Sequence, residues 1–93
     1  MNMIDPFKAK SLDRLKRARG QIDGLIKMIE EEKYCAEILT QLLALQGALK
    51  GVTPLVLESH LTTCGPKYLG SKNKATQKKF IKEIVKACEL SSR

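Results

Sequence analysis

The feature that most constrains this fold is the helical spacing of aliphatic residues, which is sustained over most of a 93-residue chain. Residues 7–29 repeat apolar side chains at steps of three and four, the pattern of one helix face. Residues 34–64 continue the pattern in a longer segment, and residues 75–90 form a shorter third one. No alternating β-branched run and no Asn-Gly turn competes with it. The sequence therefore predicts an all-α fold arranged as an antiparallel bundle.

Proline and glycine mark where these helices bend or end. Pro54 lies inside the second segment and predicts a kink beginning near Gly51, because proline removes a backbone hydrogen bond and crowds the preceding turn. Gly65 and Pro66 predict the end of that helix, and residues 67–74 are then expected to form a loop.

The hydrophobic core of such a chain is too small for one copy to complete. The chain has two Phe, two Tyr and no Trp, so leucine, isoleucine and valine must fill the interior along helix seams. A domain of this length buries only about 60–65% of its unfolded surface. We therefore expect a single domain, residues 1–93, that associates with further copies of itself.

Basic residues are concentrated towards both ends of the chain, whose net charge is +7. Residues 8–19 contain six Lys or Arg and one acidic residue, and residues 67–86 contain seven Lys and one acidic residue. The middle of the chain is acidic. This uneven charge is typical of a surface that binds a polyanion such as nucleic acid. The alternative is a solvated face that serves only solubility.

Neither a membrane span nor an export signal is evident. The chain has no run of about 18 apolar residues, and residues 1–6 lack the charged and apolar regions of a signal peptide. Three cysteines in such a chain argue against a disulfide scaffold. We expect a cytoplasmic protein in which cysteine serves for its reactivity or as a soft metal ligand.

Two residues on the second helix form a candidate metal-binding pair. His60 and Cys64 are four residues apart, so they share one helix face within reach of a single ion. Cys35 precedes His60 by 25 residues, about 37 Å along a continuous helix, and cannot reach the pair in its own chain. In an antiparallel dimer the start of one long helix lies beside the end of its partner's. Each dimer would then hold two sites.

The donor set of this site indicates the metal. Two thiolates and one imidazole form a soft set of three ligands, and thiolates select copper(I), zinc and iron–sulfur clusters. Structural zinc takes four protein ligands, and nickel prefers more nitrogen donors than one histidine supplies. Trigonal copper(I) therefore fits best. Cys88 follows an apolar helix face and is predicted to be a core residue outside the site.

Three stretches of the sequence carry a family resemblance: residues 14–24 (RLKRARGQIDG), 34–39 (YCAEIL) and 56–64 (VLESHLTTC). Together they resemble the copper-sensitive operon repressors of the CsoR/RcnR family of bacterial metal and stress sensors. The resemblance implies a three-helix protomer, an antiparallel dimer with a four-helix-bundle core, and a dimer of dimers. It also implies copper(I) binding at Cys35, His60 and Cys64, with release of operator DNA and derepression of copper efflux genes.

The resemblance further implies roles for residues around the metal and for the DNA contact. Tyr34 and Glu83 match residues that hydrogen-bond near the histidine and couple the metal to the last helix. No helix-turn-helix is visible, so we expect a basic band that binds operator phosphates and reads DNA shape. The residues of this expected band are Arg14, Lys16, Arg17, Arg19 and Lys50.

Several other functions stay open. A nickel sensor of the same family is one, and a persulfide or thiol-redox sensor that joins Cys35 to Cys64 is another. A copper chaperone or storage protein would use the site without binding an operator. A thiol enzyme with Cys64 activated by His60 lacks recognisable oxyanion donors and a second acid, so no enzymatic activity is expected.

Overall fold

The computed structural model describes residues 3–91, which form four helices and no strand. Helix α1 spans Phe7–Glu30, α2 spans Cys35–Lys50, α3 spans Thr53–Leu69 and α4 spans Lys74–Ser91. The predicted all-α fold is thereby confirmed, with α2 and α3 as the two halves of the predicted second helix. Across the described part of the chain, no helix combines the length and apolar character needed to cross a membrane.

The break between α2 and α3 lies at the predicted kink. Gly51 and Val52 form a turn, but both keep right-handed helical dihedrals, with φ/ψ of −65°/−16° and −79°/−32°. Pro54 lies in the first turn of α3, where a backbone N–H would have no partner inside the helix. The long helix is therefore interrupted for two residues, about half a turn, and then resumes.

The predicted end of the second helix was wrong. Helix α3 passes through Pro66 and ends at Leu69, so the predicted loop at 67–74 is reduced to residues 70–73. Proline costs the helix one backbone bond, but the Pro66 carbonyl still accepts a hydrogen bond from the Gly70 amide at 3.1 Å. The added turn also places Tyr68 against α4. Tertiary packing and the closed last turn together outweigh the missing bond.

Helix α1 packs against both α2 and α3, and α4 packs against α3. The small core between α1 and α2 contains Ala18, Leu25 and Leu45, with Ile38 beside them. Helix α4 begins after Asn73, whose side-chain oxygen accepts a hydrogen bond from the Ala75 amide at 2.9 Å.

The protomer is elongated and exposes much of its apolar surface. Its extents are 59 × 26 × 14 Å and its radius of gyration is 17.8 Å, against about 12 Å for a compact domain of this length. Its accessible surface is 7292 Å², roughly 1,900 Å² more than a compact monomer of this mass exposes. Exposed aliphatic residues on α1 to α3 include Leu12, Leu15, Ile22, Ile26, Leu39, Leu42, Leu43, Leu49 and Val56.

Candidate metal centre and basic surfaces

Helix α3 carries two of the three predicted metal ligands. Cys64 is 1% exposed, and His60, one turn earlier, is half-buried. The neighbouring Ser59 is also buried, and its hydroxyl accepts a hydrogen bond from the Ile4 amide at 3.1 Å. The segment that precedes α1 therefore contacts α3 one residue away from His60.

The His60 imidazole lies in an aromatic stack between α3 and α4. Its ring centroid is 5.3 Å from that of Phe80, with the planes tilted by 33°. The Phe80 ring also stacks on Tyr68, at 5.4 Å and 19°. Aromatic pairs at these separations attract each other beyond their simple burial. Phe80 is 3% exposed, so His60 and Tyr68 on α3 contact the buried side of α4.

Glu83 lies three residues after Phe80 and shares two cavities with His60. The larger cavity has a volume of about 650 Å³ and aliphatic walls that include Val52 and Ile84. The smaller one, about 330 Å³, also contains Tyr68. Within residues 3–91 the structure shows no hydrogen bond between Glu83 and His60. The structure thus brings Glu83 near the predicted ligand, while its coupling role stays a prediction.

Cys35 and Tyr34 lie at the start of α2, away from this cluster. Cys35 is the first residue of α2 and is exposed, and Tyr34, which precedes the helix, is 74% exposed. Among the described residues no three His, Cys, Asp or Glu side chains are close enough to hold a metal ion. A site made from Cys35, His60 and Cys64 therefore requires a second copy of the chain.

The prediction that Cys88 is a core residue was wrong. Cys88 is exposed and lines the larger cavity together with Ile84 and His60. Helix α4 buries the side that carries Phe80, and it leaves Ile81 and Val85 half exposed. The apolar pattern of α4 is therefore wider than the surface that α3 covers, and Cys88 lies beyond the covered part.

The four members of the expected DNA-binding band that belong to α1 lie on two different sides of that helix. At 100° per residue, Arg14 and Arg17 share one side of the helix. Lys16 and Arg19 share another side. A Cβ atom at Gly51 would lie 2.6 Å from Nη1 of Arg14, so the Arg14 guanidinium reaches the break after α2.

This position, Gly51, is one residue beyond Lys50, the last residue of α2. Arg17 also forms an exposed ion pair with Asp13 at 3.4 Å, which contributes little to stability. Arg14 and Arg17 thus lie on the side of α1 from which Arg14 reaches the end of α2.

A second basic surface, on α4, is not among the predicted DNA-binding residues. A groove of about 490 Å³ is lined by Lys78, Lys79, Lys82 and Lys86, and also by Glu83. The excess of lysine over residues 67–86 pointed to this region. The four-residue spacing of its lysines was the signal that would have located the surface.

Residues 8–89 match the metal-sensitive transcriptional repressor family. The sequence is 44% identical over 57 residues to the copper-sensing transcriptional repressor CsoR of Mycobacterium ulcerans (strain Agy99), a match that covers 61% of this chain and 49% of that protein. The match thus spans about half the length of this relative.

Two solved structures resemble the whole protomer. The copper-sensing repressor CsoR with Cu(I) from Geobacillus thermodenitrificans NG80-2 is similar with a TM-score of 0.81 and 28% identity, over 100% of this chain and 94% of that one. The nickel-responsive transcriptional regulator InrS is similar with a TM-score of 0.69 and 27% identity, over 98% and 97% of the two chains. This chain therefore shares the fold of the copper-sensing repressor CsoR over its own whole length.

Proposed function

The chain belongs to the metal-sensitive transcriptional repressor family, and we propose that it is a copper(I)-responsive repressor. In this proposal the metal-free protein binds operator DNA and releases it when Cys35, His60 and Cys64 bind copper(I), which derepresses copper efflux genes. The observation that carries it is that one turn of α3 holds the buried Cys64 and a His60 ring that contacts α4. The similarity to copper-sensing repressors supports the choice of metal.

The donor set fits copper(I). Two thiolates and one imidazole complete a trigonal site for a soft monovalent ion, whereas a closed zinc site takes four protein ligands. Cys64 is buried and His60 half-buried, so protein surrounds most of the site. The similarity to a nickel-responsive regulator makes nickel the second candidate. The single histidine disfavours nickel.

An antiparallel dimer would supply the third ligand. A standard interface buries about 800 Å² per partner, and the protomer exposes roughly 1,900 Å² beyond a compact monomer. This surplus supports a dimer that pairs further into a tetramer. In the dimer Cys35 of one protomer would lie beside His60 and Cys64 of the other. The single domain therefore senses metal only as an assembly.

DNA binding is assigned to Arg14, Arg17 and Lys50, with Lys16 and Arg19 on the other side of α1. Such side chains gain affinity by displacing counterions from phosphates. Copper(I) must bind the free protein more tightly than the DNA-bound protein, and DNA must then oppose copper(I) by the same factor. Because Phe80 and Glu83 lie beside His60, the turn of α3 that carries His60 and Cys64 contacts α4 directly, and a change at this turn can alter the position of α4.

The test is an anaerobic titration of copper(I) against a competing chelator, with a labelled GC-rich inverted-repeat duplex present. We expect one tightly bound copper(I) per protomer and simultaneous loss of DNA. Cys64→Ser should abolish both effects, and Cys88→Ser, which leaves the proposed ligands intact, should abolish neither. Tight copper(I) binding without DNA release would instead support a storage or chaperone function. Weak copper(I) binding would direct the next titration to nickel.

A further inference from the structure

We propose that the lysines of α4 form a second DNA-binding surface that contacts backbone phosphates without reading sequence. This inference rests on the proposed repressor function and extends its DNA interface beyond α1 and α2. The surface, called here the lysine stripe, consists of Lys74, Lys78, Lys82 and Lys86 with the adjacent Lys79.

The lysine stripe follows from the spacing of its members along α4. Successive lysines four residues apart advance by 40° around the helix, so Lys74 to Lys86 keep to one side. Lys78, Lys79, Lys82 and Lys86 line one groove, and all of the stripe is exposed. From Lys74 to Lys86 the stripe measures about 18 Å, a length over which duplex DNA carries about ten phosphate charges.

The lysine stripe carries unbalanced positive charge, because four of its lysines line the groove together with a single carboxylate, that of Glu83. Like charges four residues apart destabilise a helix, whereas alternating Glu and Lys at this spacing stabilise it. Among residues 3–91, the ion pairs that the structure shows lie on α1 and the segment that follows it, and none of these includes a lysine of the stripe. A polyanion would relieve this repulsion.

The opposite side of α4 is packed against the predicted metal ligand. Phe80 is buried against His60, and Glu83 lines both the lysine groove and the two cavities that contain His60. The lysine stripe and the turn of α3 that carries His60 and Cys64 thus belong to the same packed pair of helices, α3 and α4. A shift of α4 relative to α3 would move the stripe relative to Arg14 and Lys50.

The experiment compares two double variants that each remove two positive charges. Lys78→Gln/Lys82→Gln alters the stripe, and Lys27→Gln/Lys33→Gln alters two lysines that contact Glu31 at the end of α1. Glutamine keeps helix propensity close to that of lysine. DNA affinity is measured by fluorescence anisotropy between 50 and 200 mM salt, on the GC-rich inverted repeat and on a scrambled duplex of equal length.

We expect the stripe variant to reduce the slope of log affinity against log salt by about 0.9 for each phosphate that it no longer neutralises. The reduction should be the same on both duplexes, and copper(I) affinity measured without DNA should be unchanged. An equal slope for the stripe and control variants would overturn the proposal. A different result would contradict the proposed function: the unaltered protein would bind both duplexes with the same affinity and would stay bound to them after copper(I) is added. The scrambled duplex still tests the stripe in that case.

Discussion

Gly51 is a glycine because of a residue in another helix. Its φ/ψ of −65°/−16° suits any amino acid, so its own backbone does not require glycine. A Cβ atom there would instead lie 2.6 Å from Nη1 of Arg14 and 3.4 Å from the Ala48 carbonyl oxygen. The absent side chain leaves room for the guanidinium at the C-terminal end of α2, where the helix dipole favours positive charge.

Gly51→Ala should therefore weaken DNA binding without weakening the fold. Alanine at helical dihedrals stabilises a protein by about 0.4–1 kcal/mol, and the flexible Arg14 side chain can move aside. Removal of one charge-assisted phosphate contact would reduce DNA affinity roughly tenfold. Thermal denaturation measures the first effect, and anisotropy with the GC-rich duplex measures the second.

The control for this prediction is a double-variant cycle with Arg14→Ala. If Gly51→Ala acts only by displacing Arg14, it should cause no further fall in DNA affinity once the guanidinium is absent. An equal fall in both backgrounds would mean that the alanine disturbs the break between α2 and α3 itself.

The sequence predicted which residues lie close together, such as His60 and Cys64, better than it predicted which residues are buried. His60 and Cys64 share one turn because four residues complete slightly more than one turn in any helix, so their proximity follows from spacing alone. The burial of Cys64 and the exposure of Cys88 depend instead on which side of each helix meets a neighbour. An apolar side chain at helical spacing can be either buried or exposed, so the sequence could not distinguish a buried cysteine from an exposed one.

At the scale of whole helices, the existence of each element was predictable and one boundary was not. The kink before Pro54 follows from local chemistry, since proline is favoured in a first turn and disfavoured further in. The end of α3 does not follow from local chemistry. Pro66 is retained inside the helix by the hydrogen bond from Gly70 and by the stacking of Tyr68 on Phe80. That stacking joins residues in two different helices, which no local rule describes.

Phe80→Leu tests whether α4 transmits the state of the metal centre. Leucine keeps the site apolar but removes the ring that stacks on His60 and Tyr68. We expect copper(I) affinity to change by less than about threefold, whereas the copper-induced fall in DNA affinity should shrink by about tenfold, within the usual range of coupling energies. Both quantities come from titrations with and without the GC-rich duplex.

Ile81→Leu is the matched control for this change, because Ile81 lies next to Phe80 and is half exposed. It should leave the copper-induced fall in DNA affinity as it is. A parallel decrease of copper(I) affinity and coupling in Phe80→Leu would show that the ring only holds His60 in place and that α4 transmits nothing.

For the whole molecule, the positions of the proposed ligands and the exposed surface area both favour association with a further copy of the chain. No three-ligand cluster exists within residues 3–91, and roughly 1,900 Å² of surplus surface is available for burial. Composition predicted association, since a chain with four aromatic residues has few anchors for a core of its own. The antiparallel arrangement of the copies, expected from the spacing of Cys35, His60 and Cys64, stays a prediction.

Mixing two inactive variants tests that arrangement directly. Cys35→Ser and Cys64→Ser should each abolish tight copper(I) binding when studied alone. In an antiparallel dimer that contains one of each, one site lacks both thiolates and the other keeps all three ligands. Statistical exchange of protomers makes about half of the dimers mixed, so copper(I) should bind at roughly one quarter of an equivalent per protomer.

The matched control is a mixture of His60→Ala with Cys64→Ser. In the proposed dimer the same protomer supplies both His60 and Cys64 to a given site. Every combination of the two variants therefore leaves each site without one ligand, and no tight copper(I) binding should return. Co-refolding from denaturant ensures that protomers exchange in both mixtures, and the recovered sites should match the unaltered protein in the chelator competition. If neither mixture recovers copper(I) binding, each site is built within a single chain and the antiparallel arrangement is wrong. Recovery in both mixtures would instead mean that the His60 and the Cys64 of one site come from different protomers.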